Sequence, residues 1–597
     1  MSSKEKKPFI KYDTSHLGIS KHIPCEPGMD LNKEFTLSFD KKLHSQMGKL
    51  LPFSPGSLAT NCFDWFIHLS LAPGKQVELV ESALVKYTEL IEYSFSNMYG
   101  KPAEPCVSST PQDKRFEDSA WQKWPYNIFQ QTFLSTEQWW IEATSSIRGV
   151  TQHHSEVLPF LVRQYLDASA PLNFPLTNPL VVDATIKQNG VNFINGLNNF
   201  HEDIKNAIEK KPPVGAEKFK VGETVAITKG KVVYKNQLIE LIQYSPLTEN
   251  VYAEPILIVP AWIMKYYILD LSPNNSLVKF LVEKGHTVFM VSWKNPDSND
   301  RNLGFEDYMN LGVIDSVDAI SKIIPNKKIQ AVGYCLGGTI LAVAAAYMAK
   351  HNDNRLKSLT LFATQVDYEE AGELLFFIDE SQIAFLEDIM SDKGYLDSSR
   401  MAGTFSMIRS YDLIWSKLVE TYMLGVRRPL NDLMSWNADA TRMPYRMHSE
   451  YLRSLFLNND LTGGRFKVNG QAIALNDISV PIFCVSTQRD HVAPWHSVYK
   501  IINNTDTEIT FLLTSGGHNA GIISEPGHPH RSYQVSMHKK NDKHPSPLEW
   551  AESTPSQEGS WWIVWQEWLV SKSGDKGPTP PMGKAISDAP GEYVLMK

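Results

Sequence analysis

The chain has 597 residues, 42% of them hydrophobic, 11% aromatic and 21% charged, which is too long for one compact core and too apolar for a largely disordered chain. Asp and Glu (66) outnumber Lys and Arg (58), and the net charge of -8 excludes the basic footprint of a general nucleic-acid binder. Five cysteines (Cys25, Cys62, Cys106, Cys335, Cys484), odd in number and without metal-ligand spacing, argue against a disulfide scaffold or a zinc site and suit a reducing compartment.

Residues 1–60 are polar and broken by Pro8, Pro24, Pro27, Pro52 and Pro55, and the start of this segment is expected to be disordered. No apolar region follows the charged start MSSKEKKPFIKYD, and nowhere do about 18 apolar residues run together. Neither a secretion signal nor a membrane span is therefore expected, and the chain reads as cytoplasmic, without integral membrane contact. Residues 61–210 carry a helical pattern. Val77, Val80, Leu84, Tyr87, Ile91, Phe95 and Met98 recur at intervals of three and four, one apolar face of a helix. That face is expected to pack inside a helical domain, the alternative being a surface for a partner or lipid-like body.

The charged, Pro-interrupted run KNAIEKKPPVGAEK at 205–218 marks a domain edge. Beyond it, at 211–597, strand-like composition at 232–244 is followed by short apolar runs bounded by turns: PILIVP (255–260), TVFMVSW (287–293), IQAVGY (329–334), SLTLFA (358–363), PIFCVS (481–486) and EITFLL (508–513). Runs of this length suit strands buried on both faces of a parallel sheet flanked by helices, an α/β class. The rhythm lapses at about 364–480, a helical segment rich in aromatics and Met that reads as a lid inserted over the sheet's ligand end.

The strand IQAVGY runs into Gly333-Tyr334-Cys335-Leu336-Gly337-Gly338, and a small-residue helix, TILAVAAAYMA, runs out. This is the G-x-nucleophile-x-G elbow of α/β-hydrolases with Cys in place of Ser. The glycines keep a strained turn free of collisions. The helix N-terminus favours a thiolate, and the Leu336 N–H can stabilise an oxyanion. On its own the hexapeptide also fits a buried cysteine in a Gly-rich turn. Asp490 follows the strand PIFCVS and His518, flanked by glycines, follows EITFLL, so nucleophile, acid and base stand in the order the fold requires. His491 and His496 read as surface or supporting residues and His286 as a strand-edge residue. A second oxyanion donor is expected after PILIVP, the backbone N–H of Ile263 or else of Trp262. Lys265, Tyr266 and Tyr267 are candidates for the pocket mouth, with packing an equal alternative for the tyrosines.

These residues resemble the polyhydroxyalkanoate synthases over nearly the whole chain. The resemblance is carried by DKRFEDSAWQ (113–122), NFPLTNP (173–179), KGKVVYKNQLIELIQYSP (229–246), KYYILDLSPNNSLV (265–278) and GHTVFMVSWKNPD (285–297). It continues through GYCLGGT, WNADAT (436–441), RDHVAPW, SGGHNAGI, GSWW (559–562) and the closing APGEYVL. It implies an α/β-hydrolase catalytic domain behind an N-terminal helical domain, with Cys335 as acyl-carrying nucleophile, His518 as general base and Asp490 as third catalytic residue. It implies 3-hydroxyacyl-CoA as substrate, a growing polyester as product, a homodimer, a polymer-granule surface as partner, and no cofactor or metal. The resemblance also implies that the N-terminal region is concerned with dimerisation and granule attachment, and its length of about 200 residues suits the self-sufficient, single-subunit kind. One departure is Pro260-Ala261-Trp262-Ile263-Met264, where many relatives carry Pro-Pro and Asn before Lys-Tyr-Tyr. The rival reading is a smaller cysteine-type hydrolase resembling dienelactone hydrolase or a thioesterase; a non-enzymatic granule coat is a third.

Overall fold

A computed structural model describes residues 33–48, 53–101, 103–110, 113–540 and 542–597. Of the 1–60 segment, residues 1–32 and 49–52, which include the start expected to be disordered, lie outside these. The remainder forms helix α1 (Lys33–Gly48) and the start of α2 (Pro55–Ser70). Five further helices complete the N-terminal region: α3 (Pro73–Met98), α4 (Tyr126–Thr144), α5 (Gln152–Ser169), α6 (Pro179–Lys187) and α7 (Val191–Ile208).

The C-terminal part is an α/β-hydrolase built on one eleven-stranded sheet. Its strands are β1 (Gly230–Lys235), β2 (Ile239–Tyr244), β3 (Ile256–Val259), β4 (Val288–Trp293), β5 (Ile329–Tyr334), β6 (Leu356–Phe362), β7 (Ile482–Thr487), β8 (Ile509–Thr514), β9 (Ser532–His538), β10 (Ser556–Glu558) and β11 (Ser587–Asp588). The spatial order is β10-β9-β8-β7-β6-β5-β3-β4-β2-β1-β11. Strands β3 to β8 are parallel, and antiparallel strands flank them on both sides. The apolar runs feed two cores at once, because successive side chains of a strand point to opposite faces. Leu257 and Val259 join the core beneath helix Leu336–Lys350, while Ile256 and Ile258 join the core beneath helix Trp561–Ser571. Large aromatic side chains fill these cores: Trp550, Trp561, Trp562 and Trp565 are all fully buried.

The segment between β6 and β7 forms short helical pieces over the carboxyl ends of the parallel strands, and the N-terminal helices grip it. Phe53 stacks on Phe377 at 4.9 Å. The Asn192 side-chain amide donates to Met423 O at 2.8 Å, and Arg427 pairs with Asp203 at 2.6 Å. Close packing of α7 on this cap leaves no room for a Cβ at Gly196, which would strike the Tyr422 carbonyl.

The α3 stripe departs from expectation. Leu79 and Tyr93 are the buried residues of this helix, and Trp139 Nε1 donates to Leu79 O at 2.9 Å across the contact with α4. Val77, Val80, Leu84, Tyr87, Ile91, Phe95 and Met98 all face outward, Leu84 being 62% and Phe95 58% exposed. The helix is apolar on more than one side, and its interior contact uses the narrower face. Outward apolar residues also line α7, with Ile194, Leu197 and Ile208 exposed.

Candidate functional site

Strand β5 delivers Cys335 to a turn whose backbone few L-residues adopt, φ 54° and ψ -123°. Neighbouring backbone compels the turn. A Cβ on Gly333 would run into Gly338 Cα, and one on Gly337 would strike the Val259 carbonyl and approach Pro260 O to 2.5 Å. The Cys335 N–H donates to Phe362 O at 2.8 Å, which pins the turn to β6. Cys335 caps helix Leu336–Lys350, so the Leu336 N–H is a first-turn donor with no intrahelical acceptor.

Asp490 and His518 converge from the ends of β7 and β8. Asp490 has a fully buried carboxylate, held by Val492 N at 2.9 Å, Ala493 N at 2.8 Å and Thr487 Oγ1 at 2.9 Å. Its Oδ2 meets His518 Nδ1 at 2.8 Å. The His518 imidazole is nearly enclosed. Burial by itself would lower its pKa, but the Asp490 carboxylate and the Cys335 sulfur, each acting as charge and as hydrogen-bond partner, together raise it well above the ordinary value. The Tyr334 ring lies 5.7 Å from the imidazole. The GSWW run supports the His518 loop from behind, since Trp561 Nε1 donates to Gly521 O and Trp562 Nε1 to Ile522 O, both at 2.9 Å.

The structure thus brings Cys335, His518 and Asp490 into one constellation, with Leu336 and Ile263 beside Cys335 in the wall of a cavity of about 660 Å³. The rest of that wall comes largely from the cap, including Leu374, Phe377, Met401, Phe405 and Phe456. The Trp262 side chain turns away into the core among Trp293, Phe305, Tyr308 and Tyr451. Lys265, Tyr266 and Tyr267 do not form the pocket mouth; all three are buried outside the cavity lining. Lys265 instead donates to Met596 O at 2.6 Å, and burial lowers its pKa to about 8. A lysine taken this far from water needs carbonyl partners, and the last residues of the chain supply them. His491 is exposed and His496 half-buried, whereas His286 is completely buried with neither ring nitrogen hydrogen-bonded among the described residues.

Sequence reasoning missed the scaffold of the 260–265 loop. Thr441 Oγ1 donates to Trp262 O at 2.6 Å and Thr441 N to Ile263 O at 3.2 Å. Trp436 Nε1 donates to Lys265 O at 2.7 Å, and Trp293 Nε1 to Pro260 O at 2.8 Å. The run WNADAT was the available signal, though its residue types alone do not say what they hold. His448, buried in the cavity wall, was also missed, and nothing in its sequence surroundings marks it out. Among the described residues, no group of three or more His, Cys, Asp and Glu side chains is arranged to hold a metal ion, and no helix is long and apolar enough to cross a membrane.

Three family descriptions match the chain: "Poly-beta-hydroxybutyrate polymerase N terminal" over residues 34–75, "Poly-beta-hydroxybutyrate polymerase (PhaC) N-terminus" over 112–281, and "alpha/beta hydrolase fold" over 254–524. The poly(3-hydroxyalkanoate) polymerase of Methylorubrum extorquens is 37% identical over 532 residues, covering 88% of this chain and 87% of its own. The poly(3-hydroxyalkanoate) polymerase subunit of Cupriavidus necator is 34% identical, covering 84% and 87%. Among solved structures, alpha/beta hydrolase domain-containing protein 10 from mouse aligns over 48% of this chain and 90% of its own, at 13% identity and a TM-score of 0.29.

Proposed function

Since the chain belongs to the poly(3-hydroxyalkanoate) polymerases, acyltransferase-type enzymes that make polyester, we propose that it polymerises 3-hydroxyacyl-CoA thioesters with release of CoA through an acyl group carried on Cys335. The observation that carries this reading is the Cys335–His518–Asp490 constellation, whose cysteine lies in the wall of a large, mainly apolar cavity. His518 takes the Cys335 proton while Asp490 holds Nδ1 and stabilises the imidazolium. The thiolate attacks the thioester carbonyl. The N–H groups of Leu336 and Ile263 receive the oxyanion, and the tetrahedral adduct collapses as CoA leaves with the proton from His518. His518 next deprotonates the 3-hydroxyl of another acyl unit, whose oxygen attacks the acyl-Cys carbonyl, forms the ester and returns the Cys335 sulfur. Cysteine suits this cycle because exchange of one thioester for another is nearly balanced in free energy, so the acyl group stays activated. Water is the competing nucleophile, and the cap over the cavity serves to exclude it.

The outward apolar faces of α3 and α7 support a second part of the proposal, that the N-terminal region rests on the surface of the polyester granule. The homodimer remains part of the proposal on the ground of the family resemblance.

Supplying 3-hydroxybutyryl-CoA and measuring CoA release together with the acyl product tests the reading. Insoluble polyester is the expected product. Free 3-hydroxy acid in its place identifies a hydrolase, and absence of CoA release removes both enzymatic readings.

A further inference from the structure

One imidazole stands in the wall of the cavity that Cys335 opens into. His448 lies on helix Tyr445–Tyr451, one turn before Tyr451, and is 3% exposed. Its Nδ1 is sealed from the cavity without a hydrogen-bond partner among the described residues, which leaves Nε2 as the ring nitrogen that can meet a ligand. Burial, with no compensating charge, lowers its pKa to about 4. The ring is therefore neutral at physiological pH and offers one donor and one acceptor. Several other polar groups of the wall have partners within the protein. Thr339 Oγ1 donates to Gln365 O at 2.8 Å, Gln365 Nε2 donates to Ser497 Oγ at 3.1 Å, and Gln382 Oε1 accepts from Ser54 N at 2.7 Å. A buried polar group left unpaired is costly, so an unpaired imidazole in a ligand cavity points to a partner that arrives with the ligand.

We propose that His448 is a substrate-binding residue that hydrogen-bonds the 3-hydroxyl of the acyl unit in the cavity, and so selects hydroxylated over plain acyl thioesters. The inference rests on the reading of this cavity as the acyl site of a Cys335 acyltransferase. A hydroxyl both donates and accepts, as a neutral imidazole does, whereas the neighbouring Met443, Leu452 and Phe456 offer only apolar contact to the substrate.

The test is single-turnover acylation, read as the burst of CoA released from 3-hydroxybutyryl-CoA and from butyryl-CoA by the wild type, His448→Leu and His448→Gln. The wild type is expected to favour the hydroxylated thioester about tenfold or more, His448→Leu about threefold or less, and His448→Gln to retain most of the preference. The ratio separates recognition from a general loss of folding, which lowers both rates alike. If His448→Leu keeps the wild-type ratio, whatever its absolute rate, the inference is overturned. Should the leucine variant fail to fold, the His448 ring nitrogen resonances of Cys335→Ala decide the matter. Shifts on adding 3-hydroxybutyryl-CoA but not butyryl-CoA support the contact, and equal responses overturn it. A wild type that releases no CoA from either thioester overturns the acyltransferase reading itself.

Discussion

Gly337→Ala tests the geometry of the elbow with a single added methyl group. The new Cβ would lie 2.5 Å from Pro260 O and closer still to Val259 O, where real Cβ contacts essentially never fall below 3.0 Å. Both obstacles are backbone at the end of a central strand and cannot rotate away. The closer contact governs, so helix and strand must separate by roughly 1 Å, an overpacking that costs about 1–3 kcal/mol of stability. The larger effect falls on chemistry, because Gly337 sits between Leu336 at the helix N-terminus and the 260–263 loop, which carry the two proposed oxyanion donors. A displacement approaching 1 Å in such a site lowers turnover by about 10²-fold. CoA release by thiol titration measures the rate, and a thermal melt on the same sample shows that the variant is folded. Gly74→Ala, where an added Cβ meets nothing within 4 Å, serves as the control and should match the wild type. A folded Gly337→Ala enzyme with more than half the wild-type turnover would refute the reasoning.

Asp490→Asn keeps the shape of the acid but removes its charge, and turnover should fall by about 10³–10⁴, as in other triads deprived of the carboxylate. The same substitution has a pH signature. The folded pKa of His518 is raised, so the contribution of its pair with Asp490 to stability is fully present below the unfolded imidazole value, about 6.5, and is lost as pH rises through the folded value. Melting curves of wild type and variant should therefore differ more at pH 6 than at pH 10; a gap that widens toward alkaline pH contradicts the assigned direction. Thr441→Val strips the hydroxyl donor from Trp262 O and leaves a buried carbonyl unpaired, at a cost of about 1–3 kcal/mol. CoA release should drop about tenfold while circular dichroism stays unchanged, and a wild-type rate would show that the loop needs no such brace. Leu84→Glu with Phe95→Glu places two charges on the outward face of α3, where each apolar side chain is worth about 1.5–3 kcal/mol when buried. The double variant should sediment with polyester granules at least fivefold less than the wild type; unchanged partition would remove this face from the granule contact.

The sheet and the elbow were legible because their physics is local. Runs such as ILIV and VFMVSW have one stable fate in a chain of this size, burial on both faces. The Gly333, Cys335 and Gly337 pattern encodes its own steric requirement, and following strand ends in order leads to Asp490 and His518, which the structure brings together. What stayed illegible depends on long-range contacts. The α3 stripe shows the same periodicity whether it faces inward or outward, and only the position of α4 decides. Lys265 looked like a pocket residue because nothing near it in sequence reveals that Met596, more than 300 residues later, provides its acceptor. Thr441 and His448 acquire meaning only when the cap folds over the elbow.

The central claim is that Cys335 carries the acyl chain. Intact-mass and peptide spectra of the enzyme quenched in acid shortly after mixing with 3-hydroxybutyryl-CoA test it most directly. The account predicts one or more hydroxybutyryl units in thioester linkage on the peptide holding Cys335, and none in Cys335→Ala. Polyester formation with that peptide unmodified, or with full turnover by Cys335→Ala, would contradict it.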